Sequence, residues 1–381
     1  MTITAVLFAD TYPVIIADTL MSALSKHVKG PVFLPTIAAS VSADFEISTH
    51  YGPMKFSELS QKIFAFGKKG MFTYSGPRGV ASTIAHGIAR RLDAGEEMSK
   101  ELIERELLPL TPDEERDISF AVVYDTGDDK PMLYRHNMSM CKSKAFGEVY
   151  LAGRGSKNLV KLLSELDGPG SRGLSVPAKT EAGAEIYEYF CSALSLTSKL
   201  TSLDLSPERK SLKDAHGAAY DIRMLSRAGV TAPKVLYTFS ELTMRGTGVS
   251  PTLQLKCLML NWRDGQTYRV ERVLTHGVGV SQIPVGGSMS FGIAPLPLPD
   301  ENVPSDVISN RPWPVAHLPF AVHYVDVFDS AGRGMKCQFP EAMPVGKTSE
   351  FITLDFNEAN LPVAAKIDSK KLREWIYQTL D

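Results

Sequence analysis

Cysteine is scarce and its pattern is unpaired: Cys141, Cys191, Cys257 and Cys337 stand far apart and form no CxxC motif. That spacing excludes a disulfide framework and a cysteine-based zinc site, and it suits a reducing compartment. The eight histidines show no HExxH or other paired ligand spacing, so no metal site is expected. An excess of one charge sign is also missing. Lys and Arg number 41 against 43 Asp and Glu, a net charge of −2, so no basic field draws the chain to nucleic acid or to an anionic membrane. No apolar run approaches the roughly 20 residues of a membrane span. The N-terminal apolar run is short and has no basic segment before it, so no signal peptide is expected. These absences point to a cytoplasmic protein with no nucleic-acid or membrane partner.

What is there is the composition of a soluble globular chain: 381 residues, 44% hydrophobic and 22% charged. That length suits one large or two ordinary domains, and there is no internal repeat. The N-terminus carries the most information. Thr2 leads into an apolar run at residues 3–9, a turn signal at Asp10-Thr11-Tyr12-Pro13, and a second apolar run ending at Asp18. This spacing predicts a hairpin whose first strand starts at the N-terminus. If Met1 is removed, Thr2 carries both a hydroxyl and a free α-amine, a nucleophile and its base on one residue.

Strands are expected at residues 61–67 and 71–76, around the turn Lys68-Lys69-Gly70. A helix is expected from Pro77 to Arg91, where Val80, Ile84 and Ile88 recur at helical spacing. Ser99 caps a second helix over 100–108. Strands follow at 118–124, 132–136 and 148–152. The last runs into Gly153-Arg154-Gly155-Ser156 and a helix over 157–166. A further helix is expected over 181–194, then strands at 221–225 and 235–239. Residues 21–60 read as loop with a strand at 45–49. Beyond 244 the character changes: strands at 252–261 and 268–274 flank the turn Arg263-Asp264-Gly265-Gln266. A Gly/Ser-rich loop (277–292), a Pro-rich stretch (295–314), strands at 320–328 and 351–356, and a closing helix at 369–380 complete the chain.

This order, with Thr2 at the terminus and the segments Ile16-Ala17-Asp18-Thr19, Lys62-Ile63-Phe64, Tyr74-Ser75-Gly76, Leu151-Ala152-Gly153-Arg154-Gly155-Ser156 and His216-Gly217-Ala218-Ala219-Tyr220, resembles the proteasome β-subunit and related bacterial peptidase subunits of the N-terminal-nucleophile hydrolases. The resemblance covers residues 2–240. Asp18 lies sixteen residues after Thr2, as the family's second-strand acid does from its nucleophile. The resemblance implies a four-layer αββα sandwich over residues 1–243, with a β-rich C-terminal domain over 244–381 that has no counterpart in the family. It implies hydrolysis of peptide or amide bonds through an acyl-enzyme on Thr2, with no cofactor. Lys62 would lower the effective pKa of the nucleophile, Asp18 would pair with Lys62, and the Gly76 N–H would be the oxyanion donor.

The chain departs from the family in the long insertion between its second and third strands, in the stretch after residue 244, and at two motif positions. Arg154 stands where the family has a serine between two glycines, ahead of Ser156. The family's Asp preceding Ser-Gly aligns with Asp214 before His216-Gly217, with the spacing off by one. The resemblance further implies a peptide or protein substrate, a homo-oligomer and an ATP-dependent unfoldase or other protein partner. Plain structural readings stand beside these roles: Lys62 as a solvated residue opening a strand, Asp18 as a strand-end carboxylate, Gly76 as a turn. The alternative for the whole chain is a non-catalytic scaffold or assembly subunit.

Overall fold

The computed structural model describes residues 2–28, 32–36, 40–41, 46–49, 52–127, 130–168, 184–205, 212, 216–243, 252–275, 283–299, 301, 303, 305–314, 320–328, 334–342, 352–368, 370–371 and 374. The strands in chain order begin with β1 (Thr4–Leu7), β2 (Val14–Asp18), β3 (Leu20–Leu24), β4 (Val32–Phe33), β5 (Ser40–Val41), β6 (Glu46–Thr49), β7 (Gly52–Leu59), β8 (Ile63–Ala65) and β9 (Gly70–Ser75). Helices α1 (Arg78–Asp93), α2 (Lys100–Leu107) and α3 (Pro112–Asp117) follow, then β10 (Ser119–Tyr124), β11 (Met132–His136), β12 (Ser139–Ser143) and β13 (Gly147–Ala152). Next come α4 (Ser156–Leu166), α5 (Ala184–Leu205), β14 (Tyr220–Ser226) and β15 (Gly229–Thr231). The elements that follow are all strands: β16 (Val235–Thr243), β17 (Thr252–Asp264), β18 (Thr267–Thr275), β19 (Ile283–Ile293), β20 (Asp306–Ser309), β21 (Phe320–Phe328), β22 (Gly334–Ala342), β23 (Ile352–Phe356) and β24 (Pro362–Ile367).

The chain forms two compact units. The first holds Met1–Ala232 together with Gly265–Tyr268 and Ile293–Ser305; the second holds Pro233–Asp264, Arg269–Gly292 and Asp306–Asp381. In the first unit a six-stranded sheet runs in the order β12-β13-β1-β2-β14-β15 and a four-stranded sheet in the order β11-β10-β9-β8. The two sheets share a core of Val6, Ile15, Ala17, Ile63, Met71, Ala121 and Val123. Near-continuous apolar sequence in β1, β2 and β10 matches strands covered on both faces. The outer face of the four-stranded sheet, with Phe72, Tyr74, Phe120 and Val122, packs against Ile84 and Ile88 of α1 and Leu102 and Ile103 of α2. Local chemistry sets the helix starts. Ser99 Oγ accepts from the Leu102 N–H, and Thr111 and Glu114 form a reciprocal capping box with Pro112 in the first turn.

The expected four-layer αββα sandwich does not describe this protein. Among the described residues the chain is mostly β, 46% strand against 24% helix, with five helices and several antiparallel sheets. Residues 21–60, read as mostly loop, instead hold β3 to β7 in a three-stranded sheet (β3-β7-β6) and a two-stranded one (β4-β5). A Met/Ser/Lys-rich segment that is half exposed gives no clean alternation to read. The Gly/Ser-rich loop expected over 277–292 includes β19 from residue 283 onward. Its Ser288, Ser290 and Phe291 are all buried. Glycines and serines in a strand interior remove the apolar alternation that marks a strand in sequence. The expected helix at 369–380 falls largely outside the described residues.

The second unit is a nine-stranded sheet in the order β22-β21-β16-β17-β18-β19-β24-β23, with β20 also pairing to β19. The β16–β21 pair is parallel. Leu236, Leu258, Leu260, Val273, Trp313 and Ile352 form its core. Buried on β18 beside that core is Glu271. One of its carboxyl oxygens accepts from Trp262 Nε1 (3.2 Å) and Ser290 Oγ (3.0 Å), and the other has no partner. Burial pushes this carboxyl above its ordinary value of 4.5, more than these two bonds hold it down. The folded state therefore retains a proton through a window above 4.5 in which the unfolded chain has released it. Stability contributed by the neutral acid is lost as pH rises through the folded value. Glu271→Gln removes that titration and keeps the acceptor. Urea midpoints should fall less between pH 5 and pH 8 in the variant than in the wild type. The difference is worth about 1.4 kcal/mol for every tenfold by which folding tightens proton binding. Equal slopes would show that Glu271 does not titrate there.

Candidate active site

The hairpin of β1 and β2 pairs Thr4 with Ala17 and Val6 with Ile15, which sets the N-terminal residues beside the end of β2. Asp18 is fully buried there. Its Oδ1 accepts from Lys62 Nζ at 2.6 Å and from the Ile3 N–H at 3.1 Å, and its Oδ2 accepts from the Gly217 N–H at 3.0 Å. Lys62, the residue before β8, is 1% exposed. Its Nζ makes a second bond to the Leu20 carbonyl at 2.6 Å. The reading of Lys62 as a solvated strand opener is thus replaced: a lysine this deep persists only with a carboxylate and further acceptors. Burial holds the Lys62 ammonium below its ordinary value of 10.5, and the charge and hydrogen bond of Asp18 offset part of that.

Thr2 is itself buried, at 3% exposure. Its carbonyl accepts from the Gly155 N–H at 3.2 Å, and the next residue, Ile3, is bound to Asp18 through both its N–H and its carbonyl. The strand-to-helix turn at 153–156 is shaped to this terminus. Gly153 adopts φ +94°, and a Cβ there would overlap the Thr2 carbonyl oxygen. A Cβ at Gly155 would stand 2.7 Å from His216 Cδ2 and overlap the Ile3 side chain. Ser156 Oγ closes the turn by donating to the Gly153 carbonyl at 2.6 Å. Gly153→Ala should therefore displace Thr2 as well as strain the turn. We expect a stability loss of about 1–3 kcal/mol by denaturant unfolding; an unchanged midpoint would mean that the turn tolerates a side chain.

The remaining expected site residues fall as follows. Gly76 sits between β9 and α1 with φ +128°, and a Cβ there would come 2.5 Å from the Asp117 carbonyl oxygen. Arg154 is exposed. His216 is fully buried; its Nδ1 is 3.1 Å from the Tyr220 hydroxyl and its Nε2 is 2.9 Å from Asn158 Nδ2. Asp214 lies outside the described residues. Beside Asp18, the described residues bring a second carboxylate to the 216–218 turn, that of Asp204 near the end of α5. It is 1% exposed and accepts from the Ala218 N–H at 2.8 Å. Asp18 and Asp204 thus hold successive amides of one turn, and Ala218 adopts φ +73° there, a conformation costly for a residue with a Cβ. Asp204 did carry a sequence signal, as a lone acid between two leucines in a Leu/Ser/Thr helix.

Among the described residues no group of three or more His, Cys, Asp or Glu side chains is arranged to hold a metal ion, and no helix is long and apolar enough to cross a membrane. No protein-family model matches this chain, and no curated protein matches it significantly.

Proposed function

We propose that the protein is an N-terminal threonine hydrolase that cleaves peptide or amide bonds, with Thr2 as nucleophile after removal of Met1. The observation that carries this reading is the buried Lys62–Asp18 pair (2.6 Å), whose carboxylate also holds the N–H of the residue after Thr2. On this reading the Lys62 ammonium would sit near the Thr2 hydroxyl and favour the alkoxide-like charge of the attacking state. In the reaction Thr2 Oγ attacks the substrate carbonyl carbon and its proton passes to the α-amine. The tetrahedral oxyanion collects a backbone N–H, for which Gly76 is the candidate. Collapse breaks the C–N bond, the leaving amine takes the proton, and water then releases the acyl group from Thr2. On this reading the substrate is a peptide or protein chain met in the cytoplasm, with a homo-oligomer and an unfoldase as expected company.

A second reading, a non-catalytic scaffold subunit, is favoured by the 3% exposure of Thr2. Intact mass of the purified protein, before and after incubation with an epoxyketone or β-lactone directed at N-terminal threonine, separates the two. Loss of Met1 and a single adduct mapping to Thr2 supports the hydrolase. Retained Met1 without an adduct supports the scaffold.

A further inference from the structure

The residue just before Lys62 has an unusual set of partners. Gln61 is fully buried, and both ends of its amide are engaged. Its Nε2 donates to the Gln266 carbonyl at 2.8 Å and to the Ile293 carbonyl at 2.7 Å, and its Oε1 accepts from Arg223 at 2.8 Å. The Gln61 backbone N–H adds a bond to the Ala294 carbonyl at 3.1 Å. Arg223 is in turn ion-paired with Asp221 at 3.1 Å. The acceptors of the amide are backbone carbonyls of segments more than two hundred positions away in the chain, at the β17–β18 turn and at the end of β19.

A second tie reaches the neighbouring strand. Tyr268 donates its hydroxyl to the Tyr220 carbonyl at 2.8 Å. Tyr220 is the cross-strand partner of Asp18, and its own hydroxyl meets His216. Residues 265–268 and 293–294 therefore grip the two chain positions beside the ion pair: the backbone immediately preceding Lys62 and the residue opposite Asp18. Further along, the Leu296 carbonyl bonds His86 at 3.1 Å and the Pro297 carbonyl accepts from Ser82 of α1, which anchors this segment on a helix of the same unit.

We infer that these two segments are a clamp that sets the position of Lys62 against Asp18, with Gln61 and Tyr268 as positioning residues. The physical case is one of reach. Lysine has a long flexible stem, so the location of its buried ammonium depends on where its backbone is held. The hydrogen bonds to Gln61 hold that backbone, and none of them involves Lys62 itself. Reacting groups displaced by about 1 Å can lose on the order of 10²-fold in rate, so a clamp of this kind controls reactivity without touching substrate. The inference rests on Thr2, Lys62 and Asp18 being the reacting set, and its test separates the two ideas.

Two variants remove polar contacts while preserving shape, Gln61→Met and Tyr268→Phe. The second deletes a single hydroxyl, a smaller change than the first, and keeps the ring in place. Ser143→Ala, which loses the bond from Ser143 to Asp167, is a control for ordinary loss of stability. In protein labelled with ¹⁵N-lysine, exchange of the Lys62 ammonium protons is read by NMR, and acylation of Thr2 by a β-lactone is followed by mass across pH. Both variants should speed ammonium exchange and slow acylation, each about tenfold, and shift the pH midpoint of acylation, while Ser143→Ala leaves all three at wild-type values. Wild-type exchange in Tyr268→Phe and in any folded Gln61→Met overturns the clamp. Faster exchange in proteins whose Thr2 is never acylated, wild type included, upholds the clamp and overturns the hydrolase reading.

Discussion

Thr2→Ala should abolish acylation by the β-lactone and reduce amide turnover by at least about 10³-fold, while leaving the fold intact. The size of the effect follows from the absence of a substitute: alanine retains the α-amine but has no hydroxyl to form the ester intermediate. The fold survives because the anchoring bonds of the terminus are made by backbone. The Thr2 carbonyl still meets the Gly155 N–H, and Ile3 still meets Asp18 through its N–H and carbonyl. Unchanged turnover in Thr2→Ala, with an unchanged circular dichroism spectrum, would remove Thr2 from the mechanism. Thr2→Ser should retain turnover, since it keeps the hydroxyl and loses only a methyl.

Asp18→Asn should be the most destabilising conservative change in the first unit, costing about 3–5 kcal/mol near neutral pH. An asparagine side chain occupies the same volume and can still accept from the Ile3 N–H, but it leaves the Lys62 ammonium buried without its counter-charge. The dependence on pH has a definite sign. Burial already holds Lys62 below 10.5, and the Asp18 charge is what pulls it back up. Without that charge the folded-state value falls further, while the unfolded chain stays near the ordinary one. Between the two values the unfolded state binds more protons, so stability rises with pH through that window. The deficit of Asp18→Asn relative to wild type should thus narrow from pH 7 towards about pH 9.5 in guanidinium titrations. A deficit that is the same at both values would show that it arises from lost hydrogen bonds and not from the stranded ammonium.

Much of the first unit is legible in the sequence because its signals are local. The hairpin around residues 10–13, the helix after Pro77, the Ser99 cap and the strand running into the 153–156 turn all follow from spacing and turn chemistry, and α1, α2, β1, β2, β9 and β13 stand where those signals put them. Lys62 and Asp18 can be named from the string, but only folding shows that 44 positions of separation become a 2.6 Å contact. Spacing points to Asp214, which lies outside the described residues, and does not single out Asp204, whose place at the 216–218 turn depends on where the end of α5 falls in the fold. Gln61 and Tyr268 carry no motif at all. Their roles depend on backbone carbonyls, which every residue has. The share of sheet is underestimated for a different reason: the partly exposed β7 and the glycine-rich β19 lack the alternation that marks a strand in sequence.

The interleaving of the two units bears on how the protein is made. A ribosome that has just released residue 243 has already delivered Thr2, Asp18, Lys62 and the 216–220 turn, in short every group of the candidate site. The carbonyls that receive Gln61, those of Gln266, Ile293 and Ala294, are not yet synthesised. A nascent chain at that stage has the hairpin and the lysine but not the carbonyls that receive Gln61. If the clamp holds, the position of Lys62 is set only late in synthesis, and an expression fragment cut at residue 243 would lack the carbonyls that receive Gln61.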